Sequence, residues 1–241
     1  MSQSNGSGIS EFLKVWKDSG VQISGNWEKA LGHLVIEAEE PVAQAPLQKS
    51  APSQTGLAWV RSELGDCQRC PRCQTRKNII FGSGDPAADL VFVGGTPSSA
   101  DDSQGKTFAG ESGKLLIKII EAMGFTRETV YYTDLLKCFS SVTSEALAQE
   151  IEQCGPFLHE QLIAVNPKVI VALGDMAANW LLETDKGVEG LRGKLHSLSW
   201  KPETQVMVTY PPNYLLQHPE AKKLVWEDMK IVMGQLEKKS S

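Results

Sequence analysis

Two uninterrupted apolar runs constrain this chain most. Leu90-Val-Phe-Val and Val169-Ile-Val-Ala-Leu carry no polar side chain, and each runs into a glycine. A strand with one face in water alternates. A strand this uniformly apolar is covered on both faces, which is the condition of a central strand in a parallel sheet. Two further runs read as strands: Val130-Tyr-Tyr-Thr-Asp-Leu-Leu, ending at Lys137-Cys138, and Val206-Met-Val-Thr-Tyr, followed by Pro211-Pro212-Asn213. Helical patterns separate them. Residues 112–123 place Leu115, Leu116, Ile119 and Ile120 at core spacing, with Gly124 as the stop. Residues 57–64, 144–165, 175–182 and 220–236 read as the other helices. This alternation predicts an α/β protein: a three-layer α/β/α sandwich around a central, mainly parallel four-stranded sheet.

The stretch from Val91 to Leu116 runs from strand through a glycine-punctuated polar loop into a helix, and the loop carries Asp101, Asp102 and Phe108. An α/β fold builds its ligand site from such loops, at the carboxyl edge of the sheet.

Ahead of this core lie two other segments. Residues 1–36 hold one or two short amphipathic patterns and read as a helical N-terminal extension. Residues 37–55, with Pro41, Pro46 and Pro52 among Ala and Gln, read as a linker. The core domain is expected over 56–237. The extension reads either as a docking segment for a protein partner or as a plain tail. The net charge of −5 argues against a uniformly basic protein but leaves room for a local basic face. No apolar run approaches the roughly 20 residues of a membrane span, and the start lacks the pattern of a signal peptide. A cytoplasmic monomer is expected, with no membrane partner.

In a reducing compartment the five cysteines are more readily metal ligands or free thiols than disulfides. Cys67-x-x-Cys70 offers two thiolates from one turn of chain, and Cys138 and Cys154 form a distant second pair. Thiolate-only ligation suits zinc or an iron–sulfur cluster; the alternative is buried structural cysteine. Cys73 overlaps the first pair and is left ambiguous by spacing. Arg61, Arg69, Arg72, Arg76 and Lys77 cluster around that pair, as a phosphate-facing patch or as solvated surface charge.

From Cys67 to Val232 the chain resembles the family 4 uracil-DNA glycosylases, the iron–sulfur branch of their superfamily. The resemblance rests on the run Cys70-Pro71 to Gly84, on Gly94-Gly95-Thr96-Pro97, on Asp101-Asp102 through Phe108 to Leu115-Leu116, on Tyr131-x-Thr133-x-x-x-Lys137-Cys138, on Cys154-x-Pro156-x-Leu158, on Pro167 to Gly174, and on Thr209-Tyr210-x-Pro212. It implies DNA as partner and a 4Fe-4S cluster held by Cys67, Cys70, Cys138 and Cys154, with Cys73 outside it. It also implies a site that flips a base out of DNA and hydrolyses its N-glycosidic bond. Asp101 is then the acid that positions water. Phe108 stacks on the base, Asp134 reads its edge, and Gly94, Gly95, Pro211, Pro212 and Asn213 line the site. Arg192-Gly193 corresponds to a loop that touches phosphate.

Four positions depart from the family pattern. The first loop has Gly95 where an acid is usual, the strand has Asp134 for Asn, the late motif has Pro211 for His, and Gln217 stands for an Arg. Uracil presents a donor at N3 beside an acceptor at O4. An amide satisfies both, whereas an ionised carboxylate only accepts. Such an Asp134 could accept from the amino group of cytosine, or donate to uracil if its pKa were raised. Loss of a transition-state donor typically costs about 100–1000-fold. The resemblance therefore implies a glycosylase with weak or altered uracil activity, with a catalytically silent DNA- or repair-partner-binding homologue as the alternative. Asp101 with Asp102 has a second reading, as acids of a helix N-terminus. His196 and His218 are the residues nearby that could replace the missing His.

Overall fold

The computed structural model describes residues 56–140 and 148–238. The expected N-terminal extension and linker, and the start of the helix expected from residue 144, lie outside the described residues. The chain divides into the units Met1–Lys49 and Ser50–Ser241, and the second holds every described element.

The strands are β1 (Ser83–Gly84), β2 (Leu90–Gly94), β3 (Tyr131–Asp134), β4 (Val169–Leu173), β5 (Leu195–Ser197) and β6 (Gln205–Thr209). They form one sheet in the order β1-β3-β2-β4-β6-β5. The four predicted strands make its parallel centre: Val91 lies opposite Tyr131 on one side and Ile170 on the other, and Ile170 opposite Val206. The sheet has six strands rather than the expected four. Short β1 and β5 pair antiparallel with β3 and β6 at the two edges. Both are partly exposed, so they lack the apolar run that reveals the central strands.

The helices are α1 (Leu57–Leu64), α2 (Ser99–Gln104), α3 (Glu111–Ala122), α4 (Ala148–Val165), α5 (Asp175–Leu182), α6 (Val188–Leu191), α7 (Pro212–Gln217) and α8 (Lys222–Lys238). Alternate residues of the central strands feed two cores. Val91, Val93, Ile170, Ala172, Val206 and Val208 pack against α4, α5 and α6. Leu90, Phe92, Val169, Val171 and Met207 pack against α3, α7 and α8. This is the predicted three-layer sandwich. Among the described residues no helix is long and apolar enough to cross a membrane.

Chain connections place the site. From β2 the chain moves to β3 on one side, then returns to β4 on the other. The crevice beyond the carboxyl ends of β2 and β4 is therefore the topological switch point, where open α/β sheets bind ligands. Gly94, Asp134, Gly174 and Tyr210 all sit at or just past the carboxyl ends of the parallel strands.

Candidate active site

Glycine at 94 is a steric requirement. A Cβ there would fall 2.2 Å from Asp134 Oδ1 and 3.2 Å from Phe108 Cζ. The end of β2, the carboxyl of Asp134 and the ring of Phe108 thus converge on one spot. Phe108 is half-buried, edge-on to Tyr132 at 6.1 Å between ring centres. Its φ of 53° is in the left-handed region, which a bulky side chain rarely adopts.

Asp101 holds that backbone in place. Its Oδ1 accepts from the Ala109 amide at 2.6 Å, and its Oδ2 accepts from the Ser98 amide at 2.6 Å and the Ser98 hydroxyl at 2.5 Å. The Ser98 hydroxyl in turn accepts from the Asp101 amide, which completes a capping box on α2. These are the bonds of a helix N-terminal acid, the second of the two readings of this residue. A carboxylate has about four lone-pair sites. Three are taken, and one remains on Oδ1. Asp102 is buried too, and accepts from the Lys77 and Asn78 amides.

Asp134 differs from both. It is 3% exposed, and among the described residues its carboxyl has no hydrogen-bond partner. Burial pushes this carboxyl up, and Asp101 nearby adds to the effect, while Lys137 opposes it. Lys137 does not pair with the carboxylate. Its ammonium donates to the Asp134 carbonyl and, at 2.8 Å, to Thr133 Oγ1.

The two departures beside this spot have visible neighbours. A Cβ on Gly95 would lie 3.1 Å from Met176 Sδ and 3.2 Å from Met176 Cβ, so Met176 at the start of α5 packs against the position of the missing acid. Pro211 caps α7 and rests on Gly174, where a Cβ would be 3.3 Å from Pro211 Cγ. Pro212 is buried and Asn213 exposed. The late loop is stiffened by a stack of Tyr210, Tyr214 and His218, with ring centres 4.8 and 4.2 Å apart. Sequence reasoning did not identify this stack, although its four-residue spacing was a signal. His218 is its outer member. His196 lies on edge strand β5 with Nε2 2.7 Å from the Leu191 carbonyl.

Of the basic residues expected to face phosphate or solvent, Arg61, Arg69 and Lys77 stay exposed, while Arg72 and Arg76 turn inward. Arg72 is buried, with Nε donating to Glu150 Oε2 at 2.7 Å and Nη1 to the Cys138 carbonyl and Thr96 Oγ1. Arg76 pairs with Asp66 and donates to Cys138 Sγ. Arg69 donates to Cys67 Sγ at 3.3 Å, and Arg61 lies over the Phe81 ring. Arg192 follows the same pattern. Its Nη2 donates to Asp228 Oδ1 at 3.1 Å and to the Leu224 carbonyl, and the Gly193 amide donates to Asp228 as well. A run of positive charge in a sequence does not reveal which guanidinium groups find buried acceptors.

The thiols of Cys67, Cys70, Cys138 and Cys154 line one pocket, with Arg69, Arg76 and Lys137 in its wall, and Cys73 is not part of that lining. All five cysteines are free. Burial raises the Cys138 and Cys154 thiols above their ordinary value. Thiolates here therefore need a compensating cation. Among the described residues no group of three or more His, Cys, Asp or Glu side chains is set to hold a single metal ion.

A mainly parallel α/β/α sandwich with a glycine, an aromatic ring and a buried carboxyl converging at its switch point, and four cysteines around one pocket, defines a narrow class. The family model of the uracil DNA glycosylase superfamily matches residues 81–230, and the chain belongs to that superfamily. Several of the similar relatives within it are of type 4. The chain is 32% identical over 173 residues to the type-4 uracil-DNA glycosylase of Archaeoglobus fulgidus, covering 70% of this chain and 87% of that protein. It is 33% identical over 180 residues to that of Sulfurisphaera tokodaii (72% and 82% covered) and 32% over 173 to that of Thermotoga maritima (70% and 89%).

Proposed function

We propose that this protein is a DNA glycosylase that hydrolyses the N-glycosidic bond of a flipped deaminated base, with weak or altered activity on uracil. The observation that carries this reading is the convergence of Gly94, Phe108 and the unpartnered Asp134 carboxyl at the switch point of a superfamily member's sheet. A base swung out of the duplex stacks on Phe108 and presents its pairing edge to Asp134. Gly94 and Gly95 form the floor of the pocket. Asp101 fixes the Phe108 backbone through Ala109, and its free Oδ1 lone pair orients the attacking water. Pro211, Pro212 and Asn213 shape the late loop, and Arg192-Gly193 holds the neighbouring turn so that backbone groups meet the strand. The weakness follows from chemistry that is missing. Gly95 supplies no carboxylate and Pro211 no donor for the departing base oxygen, each a loss of transition-state stabilisation.

Cys67, Cys70, Cys138 and Cys154 would hold a 4Fe-4S cluster. The donor set supports it: four thiols around one pocket, with arginine and lysine donors that offset the charge of a thiolate-ligated cluster. A cluster of several irons needs a wider cage than one ion. When bound it would be a structural staple. Arg72 joins this cage to the pocket, because the same guanidinium reaches the Cys138 carbonyl and Thr96 of the Gly94–Pro97 loop. Protein purified without oxygen is expected to carry iron and visible charge-transfer absorbance. Cys154→Ser should lose both, and Cys73→Ser should keep both. Equal iron in the two variants would remove Cys154 from the ligand set.

The catalytic reading is tested with oligonucleotides bearing uracil, hypoxanthine, xanthine or a cytosine mismatch, assayed for abasic sites. Slow cleavage of a deaminated base is expected. Intact DNA in every lane would overturn it. Met176 against Gly95, together with Pro211, favours the alternative in that case: a silent homologue, which would retain these oligonucleotides at low salt without cutting them.

A further inference from the structure

Resting on the reading of Asp134 as the base-edge residue, we infer that Asp134 recognises the base in its neutral, protonated form, so that the pocket takes bases with an adjacent donor and acceptor and releases them as pH rises. The geometry carries this. Asp134 is 3% exposed and its carboxyl lies at the Gly94–Phe108 spot, with no hydrogen-bond partner among the described residues. Every other buried acid of the site is committed: Asp101 to Ser98 and Ala109, Asp102 to Lys77 and Asn78. An unpartnered buried carboxyl is waiting for a ligand.

What it offers depends on one proton. Ionised, it presents two acceptors, and uracil's O4 faces negative charge. Protonated, it presents an O–H beside a C=O. The C=O accepts from uracil N3–H and the O–H donates to O4, which is the pattern an amide supplies. Substitution of Asn by Asp therefore keeps the recognition pattern and makes it conditional on pH.

Among the described residues, two charged groups act on Asp134. From α2, Asp101 opposes ionisation. From the residues after β3, Lys137 favours it, but its ammonium is directed to the Asp134 carbonyl and Thr133, and the charge is shared with Cys138 and Cys154. Gly94, Gly95 and the Phe108 segment bring no charge. Burial outweighs Lys137 and raises the carboxyl from its ordinary 3.8 to about 7. Because the protonated form is the binding form, recognition is complete below that value and declines above it. Each further pH unit costs about tenfold, the slope of one proton.

The test uses the full chain and a duplex carrying 2′-fluoro-2′-deoxyuridine, whose electron-withdrawing fluorine slows glycosidic cleavage. Affinity is compared with the same duplex bearing a stable abasic analogue, across about pH 5.5 to about 8.5, which brackets the ordinary His range and stays below that of Tyr and Lys. The expected result is a preference for the base that falls about tenfold per unit in the upper part of the range. Asp134→Asn should hold that preference level with pH. A pH-independent or rising preference in the parent protein would overturn the inference and leave the glycosylase reading standing. No preference for the base at any pH would overturn the base-edge reading itself. The parent profile decides even if Asp134→Asn does not fold.

Discussion

Replacing Gly113 by alanine is expected to dismantle the proposed base site without altering any side chain proposed to meet the base. Gly113 lies in the first turn of α3, and a Cβ there would fall 1.8 Å from the Phe108 carbonyl oxygen, 2.2 Å from its carbon and 2.8 Å from Phe108 Cα. These are backbone atoms, so no rotamer change relieves the overlap. Phe108 already holds a left-handed backbone, and Asp101 pins the next amide. The segment must move as a unit, or the helix start must unwind. Overpacking of this kind costs about 1–3 kcal/mol. Displacement of the Phe108 ring also removes a stacking contact worth about 1–3 kcal/mol per base. The variant should therefore melt lower and bind a uracil duplex roughly 5–150-fold more weakly, by the same principle. Gly124→Ala is the control. Gly124 has positive φ, unlike Gly113, and nothing lies within 4 Å of its added Cβ, so it should lose some stability and keep base binding. Parental uracil affinity in Gly113→Ala would refute the close contact.

What the sequence disclosed and what it concealed follow from the same physics. The central strands were legible because burial on both faces leaves no polar residue in Leu90–Val93 or Val169–Leu173. Edge strands β1 and β5 were not, because two or three half-exposed residues carry no periodicity. Helix α2 was concealed for another reason: Ser-Ala-Asp-Asp-Ser-Gln has no large apolar side chain, and only the spacing of Ser98 and Asp101 announced a cap. The pocket residues were named through family likeness, but their states were not. Asp101, Asp102 and Asp134 look alike in sequence. Two accept hydrogen bonds from backbone amides and one is left open, because of backbone geometry distant from each. Arg72 misled most, since its partners Glu150, Cys138 and Thr96 come from three separate parts of the chain.

Restoring the family chemistry is expected to give the largest gain in activity, and the structure adds a condition. Gly95→Glu, Asp134→Asn and Pro211→His together return the acid, the amide and the donor to the pocket. Pro211 has extended backbone dihedrals that histidine adopts freely, and Asp134→Asn preserves shape. Gly95→Glu is different, because its Cβ would press on Met176 at 3.1–3.2 Å. Met176 must give by a few tenths of an ångström to admit the glutamate's Cβ. The triple variant should therefore gain only part of the effect, and Met176→Ala added to it should release the rest. A recovered oxyanion donor alone is worth about 100–1000-fold. The quadruple variant should exceed the parent by at least about that factor in single-turnover abasic-site formation on uracil DNA, and its rate should no longer follow ionisation of residue 134. Folded quadruple protein that binds uracil DNA but cuts no faster than the parent would mean that these positions are not what limits catalysis. If the triple variant already shows the full gain, Met176 is not the obstruction that its contact with Gly95 implies.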